Sequence, residues 1–188
     1  MSRRLSRRTV IGLPATLLAL ALTACSGASD EPATATVGGV TLEVPTGWDE
    51  QVEEPGDDLV TVGQFAPDDG SATRLQVIVG CGDETADDLV TAAASQPRNQ
   101  LVAVDADDAV EAEVPGMDTA RRTTLSFGEQ ATGTPSLRVG GLYASGGGSL
   151  LLVELIAPLA QYDEQLTTHT LDSVEVARDE VEAACADA

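Results

Sequence analysis

From residue 37 onward, the sequence is dominated by short segments in which apolar and polar residues alternate. In the first of them, Val40, Leu42 and Val44 would lie on one side of a strand, with polar residues on the other side. The pattern predicts strands over residues 40–44, 59–66, 73–80, 100–104, 109–114, 120–127, 137–144 and 149–157, and a short one at 174–176. The run LLLVELI, residues 150–156, is apolar on both sides and is therefore predicted to form the central, most buried strand.

Three segments change to a helical period. A helix is predicted between Thr85, an N-cap residue followed by acids in the first turn, and Pro97, which would end it. Two further helical segments are predicted, one after Pro158 and one over residues 177–184. Seven or eight mostly antiparallel strands flanked by helices describe a single α+β domain over residues 37–188.

The first 25 residues have the order of an export signal. Residues 1–9 carry four arginines and no acid, and residues 10–23 are largely apolar. As a helix the apolar segment would span about 21 Å, which is shorter than the ~30 Å hydrocarbon core of a membrane. The following run, Leu22-Thr23-Ala24-Cys25, resembles the lipobox of bacterial lipoproteins. That resemblance implies cleavage between Ala24 and Cys25 and a diacylglycerol on the Cys25 thiol.

Two alternatives stay open at this signal. An ordinary secretory signal would be cut near Ala24 and would leave Cys25 as an unmodified thiol. The pair Arg7-Arg8 resembles a twin-arginine signal, so the sequence does not decide between the general and the twin-arginine export routes.

The charge of the mature chain limits its partners. Removal of residues 1–24 takes away four of the ten basic residues and none of the 31 acidic ones, which leaves a formal net charge of about −25. Such a chain repels phosphate backbones and anionic lipid headgroups, so nucleic-acid binding is not expected. The predicted membrane contact is the covalent lipid on Cys25, because two acyl chains hold a protein stably. Residues 25–36 contain no large apolar side chain and are predicted to be a flexible tether.

The two remaining cysteines are Cys81 and Cys185. In an oxidising compartment an even number of cysteines favours pairing, so a Cys81–Cys185 disulfide is predicted. The alternative is a pair of buried free thiols.

The order of the segments resembles the PsbP-like fold. The resemblance rests on the opening strand that runs into Val44-Pro45-Thr46-Gly47-Trp48 and on the late motif of Ala157, Pro158, Tyr162 and Asp163. It is similar to the pattern of small actinobacterial lipoproteins of the LpqN type. The resemblance implies a binding or accessory module without a shared active site.

The residues that carry chemistry in many enzymes are sparse here. His169 is the single histidine and is predicted to lie on a helix surface, and the chain has no G-x-S-x-G nucleophile motif. One histidine and two separated cysteines do not form a zinc site, and no cofactor is predicted. The segment that begins at Asp105 opens like a calcium-binding loop, but Val110 and Gly116 stand where that loop needs glycine and glutamate.

Together these features predict a membrane-anchored, extracytoplasmic, non-catalytic module that binds an unknown envelope protein or ligand. One alternative is a small-ligand carrier with a cavity beneath Trp48, Phe65 and Phe127. A second is a hydrolase of envelope polymers, which would need two acids facing each other across a cleft, one of them desolvated. Trp48 is otherwise expected to pack under the sheet, and Arg121 and Arg122 are expected on opposite faces, with at least one paired to an acid.

Overall fold

The computed structural model describes residues 32–53, 59–98 and 100–187. The strands within these ranges are β1 (Ala33–Val37), β2 (Val40–Val44), β3 (Trp48–Glu53), β4 (Leu59–Pro67), β5 (Arg74–Cys81), β6 (Val102–Ala106), β7 (Val110–Glu111), β8 (Thr119–Gly128), β9 (Pro135–Gly146), β10 (Ser149–Pro158) and β11 (Glu175–Val176). The helices are α1 (Ala86–Ser95), α2 (Glu164–Asp172) and α3 (Arg178–Asp187), and residues Leu159–Gln161 form a 3-10 turn.

The strands form two antiparallel sheets. In the large sheet the order is β3-β4-β5-β10-β9-β8-β6, with β7 paired to β8, and in the small sheet it is β1-β2-β11. The predicted central position of the LLLVELI segment is confirmed, because β10 has three strands of this path on either side. The predicted class, a mostly antiparallel sheet flanked by helices, is also confirmed.

The first strand of the small sheet corrects the predicted tether and domain boundary. Residues 33–36 were expected to be flexible, but β1 pairs with β2 in register from Ala33 opposite Val44 to Val37 opposite Val40. Gly38 and Gly39, both at positive φ, form the turn between the two strands. Val37 is buried against Gly63 of β4, where a side chain on the glycine would collide with it. The small residues of β1 gave a weak strand pattern, and its packing on β4 decides the structure.

Other differences are at segment ends. The edge strand β3 was not predicted because its sequence, WDEQVE, is mostly polar, and β7 is shorter than predicted. The helix expected directly after Pro158 begins only at Glu164. Its N-cap is Asp163, whose carboxylate accepts the backbone N–H groups of Gln165 and Leu166.

The predicted start of α1 is confirmed. Thr85 is its N-cap, its hydroxyl accepts the Asp88 backbone N–H at 3.2 Å, and the Asp88 carboxylate accepts the Thr85 backbone N–H at 3.0 Å. The Thr85 hydroxyl also donates to the Asp88 carboxylate at 2.7 Å, and this hydrogen bond, followed by the one from the Thr85 backbone N–H, lowers the pKa of the Asp88 carboxyl. The capped helix packs on β6, β8 and β9.

Each face of the large sheet has its own core. On one face, β4, β5 and β10 pack against the small sheet through an apolar cluster that includes Phe65, Leu155 and Leu42. On the other face, α1 covers a smaller cluster that includes Phe127 and Tyr143. The two clusters lie on opposite sides of the same strands, because successive side chains of a strand point to opposite faces.

Candidate functional site

A surface depression beside the only tryptophan is the first candidate site. It has a volume of about 590 Å³ and opens to solvent. The hairpin turn between β4 and β5, the start of β3, and the segment from the 3-10 turn into α2 surround it. The residues that line it are Trp48, Pro67, Asp69, Gly70, Ser71, Thr73, Gln161, Asp163 and Leu166.

Side-chain hydrogen bonds hold the walls of this depression together. The Asp69 carboxylate accepts the Ser71 backbone N–H at 2.8 Å, which fixes the turn between β4 and β5. The Ser71 hydroxyl in turn donates to Gln161 Oε1 at 3.1 Å. The β4–β5 turn is therefore connected to the 3-10 turn that precedes α2.

Trp48 has two roles in this arrangement. It lies directly opposite Pro67 in the β3–β4 pair, is half-buried, and packs against the apolar cluster of the small-sheet face. The expectation that it packs under the sheet is therefore confirmed for part of the side chain. Because the rest of it lines the depression, a molecule bound there would contact the indole.

The apolar cavity beneath Trp48, Phe65 and Phe127 that would favour a small-ligand carrier does not form among the described residues. Phe65 belongs to the core of the small-sheet face, and Phe127 belongs to the core under α1. A continuous sheet separates the two rings, so they do not line one cavity.

A buried polar cluster under α1 is the second candidate site. Glu154, in the middle of the central strand β10, has a side chain only 2% exposed. Its Oε1 atom accepts a hydrogen bond from Tyr143 Oη at 2.8 Å and another from Arg98 Nη2 at 2.7 Å. The Arg98 guanidinium also lies over the ring of Phe127, 5.3 Å from its centroid.

A glycine makes the contact between Tyr143 and Glu154 geometrically possible. Tyr143 lies opposite Leu152 in the β9–β10 pair, and Glu154 lies opposite Gly141. The tyrosine ring extends across Gly141, where an added Cβ would come within 2.4 Å of the ring. A larger residue at position 141 would block the ring from the glutamate.

In this cluster Tyr143 keeps its proton, and Glu154 is paired with the positive charge of Arg98. Burial, and after it the nearby charge of Glu154, raises the pKa of the Tyr143 hydroxyl well above its usual range. The Arg98 guanidinium neutralises the Glu154 carboxylate, and the Arg98 side chain is itself only 17% exposed. The turn that carries Arg98 is closed by backbone hydrogen bonds between Arg98 and Leu101 and places Gln100 at a positive φ of 68°.

The partners of Glu154 bear on the hydrolase alternative. That alternative required a desolvated acid opposite a second acid across a cleft. Glu154 is the desolvated acid, but it faces a tyrosine and an arginine on the covered side of the sheet, which is the arrangement of a structural ion pair. No sequence motif indicates this cluster directly, although a lone glutamate inside an apolar central strand signals that a buried partner must exist.

The two adjacent arginines lie as predicted. Arg121 points to the α1 face and pairs with Asp87 of α1 at 2.9 Å, whereas Arg122 points to the other face and pairs with Asp172 of α2. Both of them, rather than one, connect the sheet to a helix.

His169 lies on the surface of α2, as predicted. Its side chain is 58% exposed, and its Nε2 atom is 2.6 Å from the Glu43 carboxylate of β2. The contact joins α2 to the small sheet.

The predicted cysteine sites fall in two groups. A disulfide joins Cys81, at the end of β5, to Cys185 of α3, with 5.5 Å between the two Cα atoms. The predicted lipidation and cleavage sites, Cys25 and Ala24, lie outside the described residues.

Within the described ranges, no helix is long and apolar enough to cross a membrane, and no three His, Cys, Asp or Glu side chains are grouped to hold a metal ion.

Comparison with known proteins gives a fold. No model of a known protein family matches the chain, and no curated protein matches it. The solution structure of cyanobacterial PsbP (CyanoP) from Synechocystis sp. PCC 6803 superimposes with a TM-score of 0.56 at 16% identity, over 82% of this chain and 98% of that one. A crystal structure from Bacteroides thetaiotaomicron VPI-5482 gives a TM-score of 0.46 at 12% identity, over 73% of this chain and 45% of that one.

The similarity to CyanoP confirms the predicted PsbP-like fold. The likeness to LpqN-type lipoproteins and the actinobacterial origin remain predictions from the sequence.

Proposed function

We propose that this protein is a lipid-anchored, extracytoplasmic module of the cell envelope that binds a partner and has no catalytic chemistry of its own. The lipobox pattern that ends at Cys25 supports the anchor. The observation that carries the proposal is the Cys81–Cys185 disulfide, because disulfides persist in compartments outside the cytoplasm. Lipidation would use the first cysteine, and the disulfide uses the other two.

Two observations support an accessory role. The arginines at positions 98, 121 and 122 are paired with acids and tie elements of the fold together. The PsbP-like fold, which the sequence resemblance associated with accessory modules, agrees with this role.

The anchor is tested by labelling cells with an alkyne fatty acid and isolating the protein. The wild-type chain and Cys185→Ser should both carry the label, and Cys25→Ser should carry none. Mass spectrometry of the N-terminal peptide should find a diacylglycerol on Cys25. An unmodified Cys25, or a chain that retains residues 1–24, contradicts the proposal.

The disulfide has its own test. The mature domain, unfolded in denaturant without reductant, should show no reactive thiol when Cys25 is lipidated or changed to serine, and two after reduction. Two reactive thiols before reduction would remove the support that the disulfide gives to an extracytoplasmic location.

The depression at Trp48 favours a second candidate function, that of a small-ligand carrier. It combines an aromatic side chain with the polar groups of Asp69 and Gln161, as ligand sites often do. Because Trp48 is the only tryptophan, its fluorescence reports on this site alone. Soluble cell-wall glycan fragments and short peptides should shift its emission in a saturable way. The shift should be weaker in Gln161→Ala and unchanged in the distant Thr91→Ala; a flat titration contradicts this candidate.

A further inference from the structure

The part of the large sheet that α1 does not cover has an unusual surface. Helix α1 packs on β6, β8 and β9, which leaves the same face of β4 and β5 open. Along β5, residues at odd positions are buried under the small sheet, and Arg74, Gln76 and Ile78 are half-exposed. We call the open face the surface formed by these three residues and by Val62, Gln64 and Ala66 of β4.

The register arranges the open face in three rows across the strands. The first row is apolar and joins Val62 and Ile78 to Leu152 of β10. The second row consists of Gln64 and Gln76, opposite each other. In the third row Arg74 lies next to Ala66, with Ile156 of β10 on its other side. Directly opposite residues are close enough to form one continuous contact surface.

The polar groups of this surface are available to a partner. Within the described part of the chain, the amides of Gln64 and Gln76 make no hydrogen bond with another protein group. The described ranges contain six arginines, and five of them lie within 4.0 Å of an acid. Arg74 is the sixth, and no acid of the described residues pairs with it. Asp49 is the acid in its row, but it lies two strands away, on β3.

The charge of the open face differs from that of the whole chain. The protein has 31 acids and ten basic residues, yet none of the six residues of the open face is acidic. The neighbouring strands do carry acids: Glu154 of β10, which Arg98 neutralises, and Asp49 and Glu53 of the edge strand β3, which lie opposite Ala66 and Val62. The six residues of the open face therefore form a mixed apolar and amide surface with one arginine that no described acid pairs, bordered by the acids of β3.

We propose that the open face is the docking surface for an envelope protein that places a carboxylate against Arg74 and apolar side chains against the row of Val62, Ile78 and Leu152. Charge complementarity at Arg74 selects an acidic group, and the free amides supply hydrogen bonds to backbone or polar groups of the partner. A second copy of this chain does not suit the surface, because two mature chains of about −25 would repel each other.

The position of the open face also agrees with docking at a distance from the anchor. The predicted tether leads into β1, which belongs to the small sheet on the opposite side of the large sheet. The inference rests on the proposed binding role and not on the lipid anchor, so the two can fail separately.

The test is photo-crosslinking in intact cells, with benzoylphenylalanine in place of Ile78, and in place of Thr168 on α2 as the control position. We expect one envelope protein to be captured at position 78 and not at position 168. The captured segment should contain an aspartate or glutamate. Arg74→Glu should reduce its yield about tenfold, as expected for loss of a close interfacial charge pair. The double variant Gln165→Glu/Thr168→Glu adds the same charge on α2 and should leave the yield unchanged.

A charge swap completes the test. Changing the acid of the captured segment to arginine should restore crosslinking to the Arg74→Glu variant. The proposal is overturned by adducts with lipid or glycan alone, by capture of a second copy of this chain, by the absence of an adduct at position 78, or by a yield that Arg74→Glu does not change. Fatty-acid labelling of the same cells shows separately whether the anchor is present.

Discussion

The two faces of the large sheet achieve burial in different ways. On the small-sheet face, the core side chains in the middle of β5 and β10 are apolar, among them Leu75, Val77, Val153 and Leu155. On the α1 face, the same two strands carry Gln76 and Glu154 in the middle of the sheet, and burial there depends on Arg98 and Tyr143. The first face needs only apolar residues of suitable size, whereas the second also needs specific hydrogen-bond partners.

The two faces of the large sheet also differ in how much of each is exposed to solvent. The small sheet covers β4, β5 and β10 together, but α1 covers only the half of the large sheet beyond β10. The buried polar cluster lies at the border between the covered half and the open face. Four groups of variants, at arginines, leucines, tyrosines and a surface aspartate, test this description, and they follow in order of decreasing effect.

Removal of the buried arginine should have the largest effect. Arg98→Met leaves Glu154 buried without a cation, which should lower the free energy of unfolding by about 3 to 5 kcal/mol in chemical denaturation. Arg121→Met removes an ion pair whose acid is 66% exposed and should cost less than ~1 kcal/mol. The combination Arg98→Met, Tyr143→Phe and Glu154→Leu should recover much of the loss. Equal losses for the two single arginine variants would show that the cluster is not a buried ion pair.

Two leucines of the same strand compare the faces directly. Leu155 is fully buried under the small sheet, and Leu152 is half-buried at the edge of the open face. Leu155→Ala should lower the free energy of unfolding by about 3 kcal/mol, and Leu152→Ala by about 1 kcal/mol, because less apolar area leaves water at position 152. If Leu152→Ala cost as much as Leu155→Ala in the same denaturation experiment, the face would be covered rather than open.

Tyr143 tests the buried polar cluster on the α1 face. Tyr143→Phe should cost about 1 to 2 kcal/mol, because Glu154 loses a buried hydrogen bond. The pKa of Tyr143 is raised in the folded state, so the folded chain keeps a proton that the unfolded chain loses above its pKa of about 10. The stability that this residue contributes is therefore complete below pH 10 and is lost as the pH rises further.

The titration can be isolated because the chain has two tyrosines. In Tyr162→Phe, Tyr143 is the only tyrosine, and its phenolate absorbance should appear only together with unfolding at alkaline pH. Phenolate absorbance near pH 10 in the folded state would contradict the buried hydrogen bond.

The smallest effect is expected at the surface. Asp118 accepts a hydrogen bond from Arg178 at 2.8 Å, and this contact lowers the pKa of its carboxyl. The resulting stability is present above the unfolded pKa of about 3.9 and is lost as the pH falls through the lower folded value. Asp118→Asn should therefore slightly flatten the acid limb of a stability–pH curve, and an unchanged acid limb in this variant would contradict the contribution of the Arg178 contact.

Much of the fold could be predicted from the sequence because its apolar residues alternate with the period of a strand. The central strand, the capped helix α1 and the strands around them carry clear patterns. The weak cases were β1, whose residues are small, and β3, whose residues are polar. Both are edge strands, and pairing with a neighbour rather than local sequence decides that they form.

Less of the candidate sites could be predicted. The depression at Trp48 is formed in part by the contact of Ser71 with Gln161, residues 90 positions apart. The partner of Glu154 is Arg98, 56 positions away in a turn without a strong pattern. Contacts over such separations follow from the strand order and not from any local signal.

By itself the sequence determined the α+β class, the central strand and the charge of the chain, because each of these depends on local composition or periodicity, and it predicts export and lipidation at Cys25. Only the tertiary structure decided that Phe65 and Phe127 lie on opposite faces, that Glu154 is neutralised by Arg98, and that Arg74 lies on an open face with no acid partner among the described residues. The reason is that strand order and register, which no single segment encodes, place distant residues side by side.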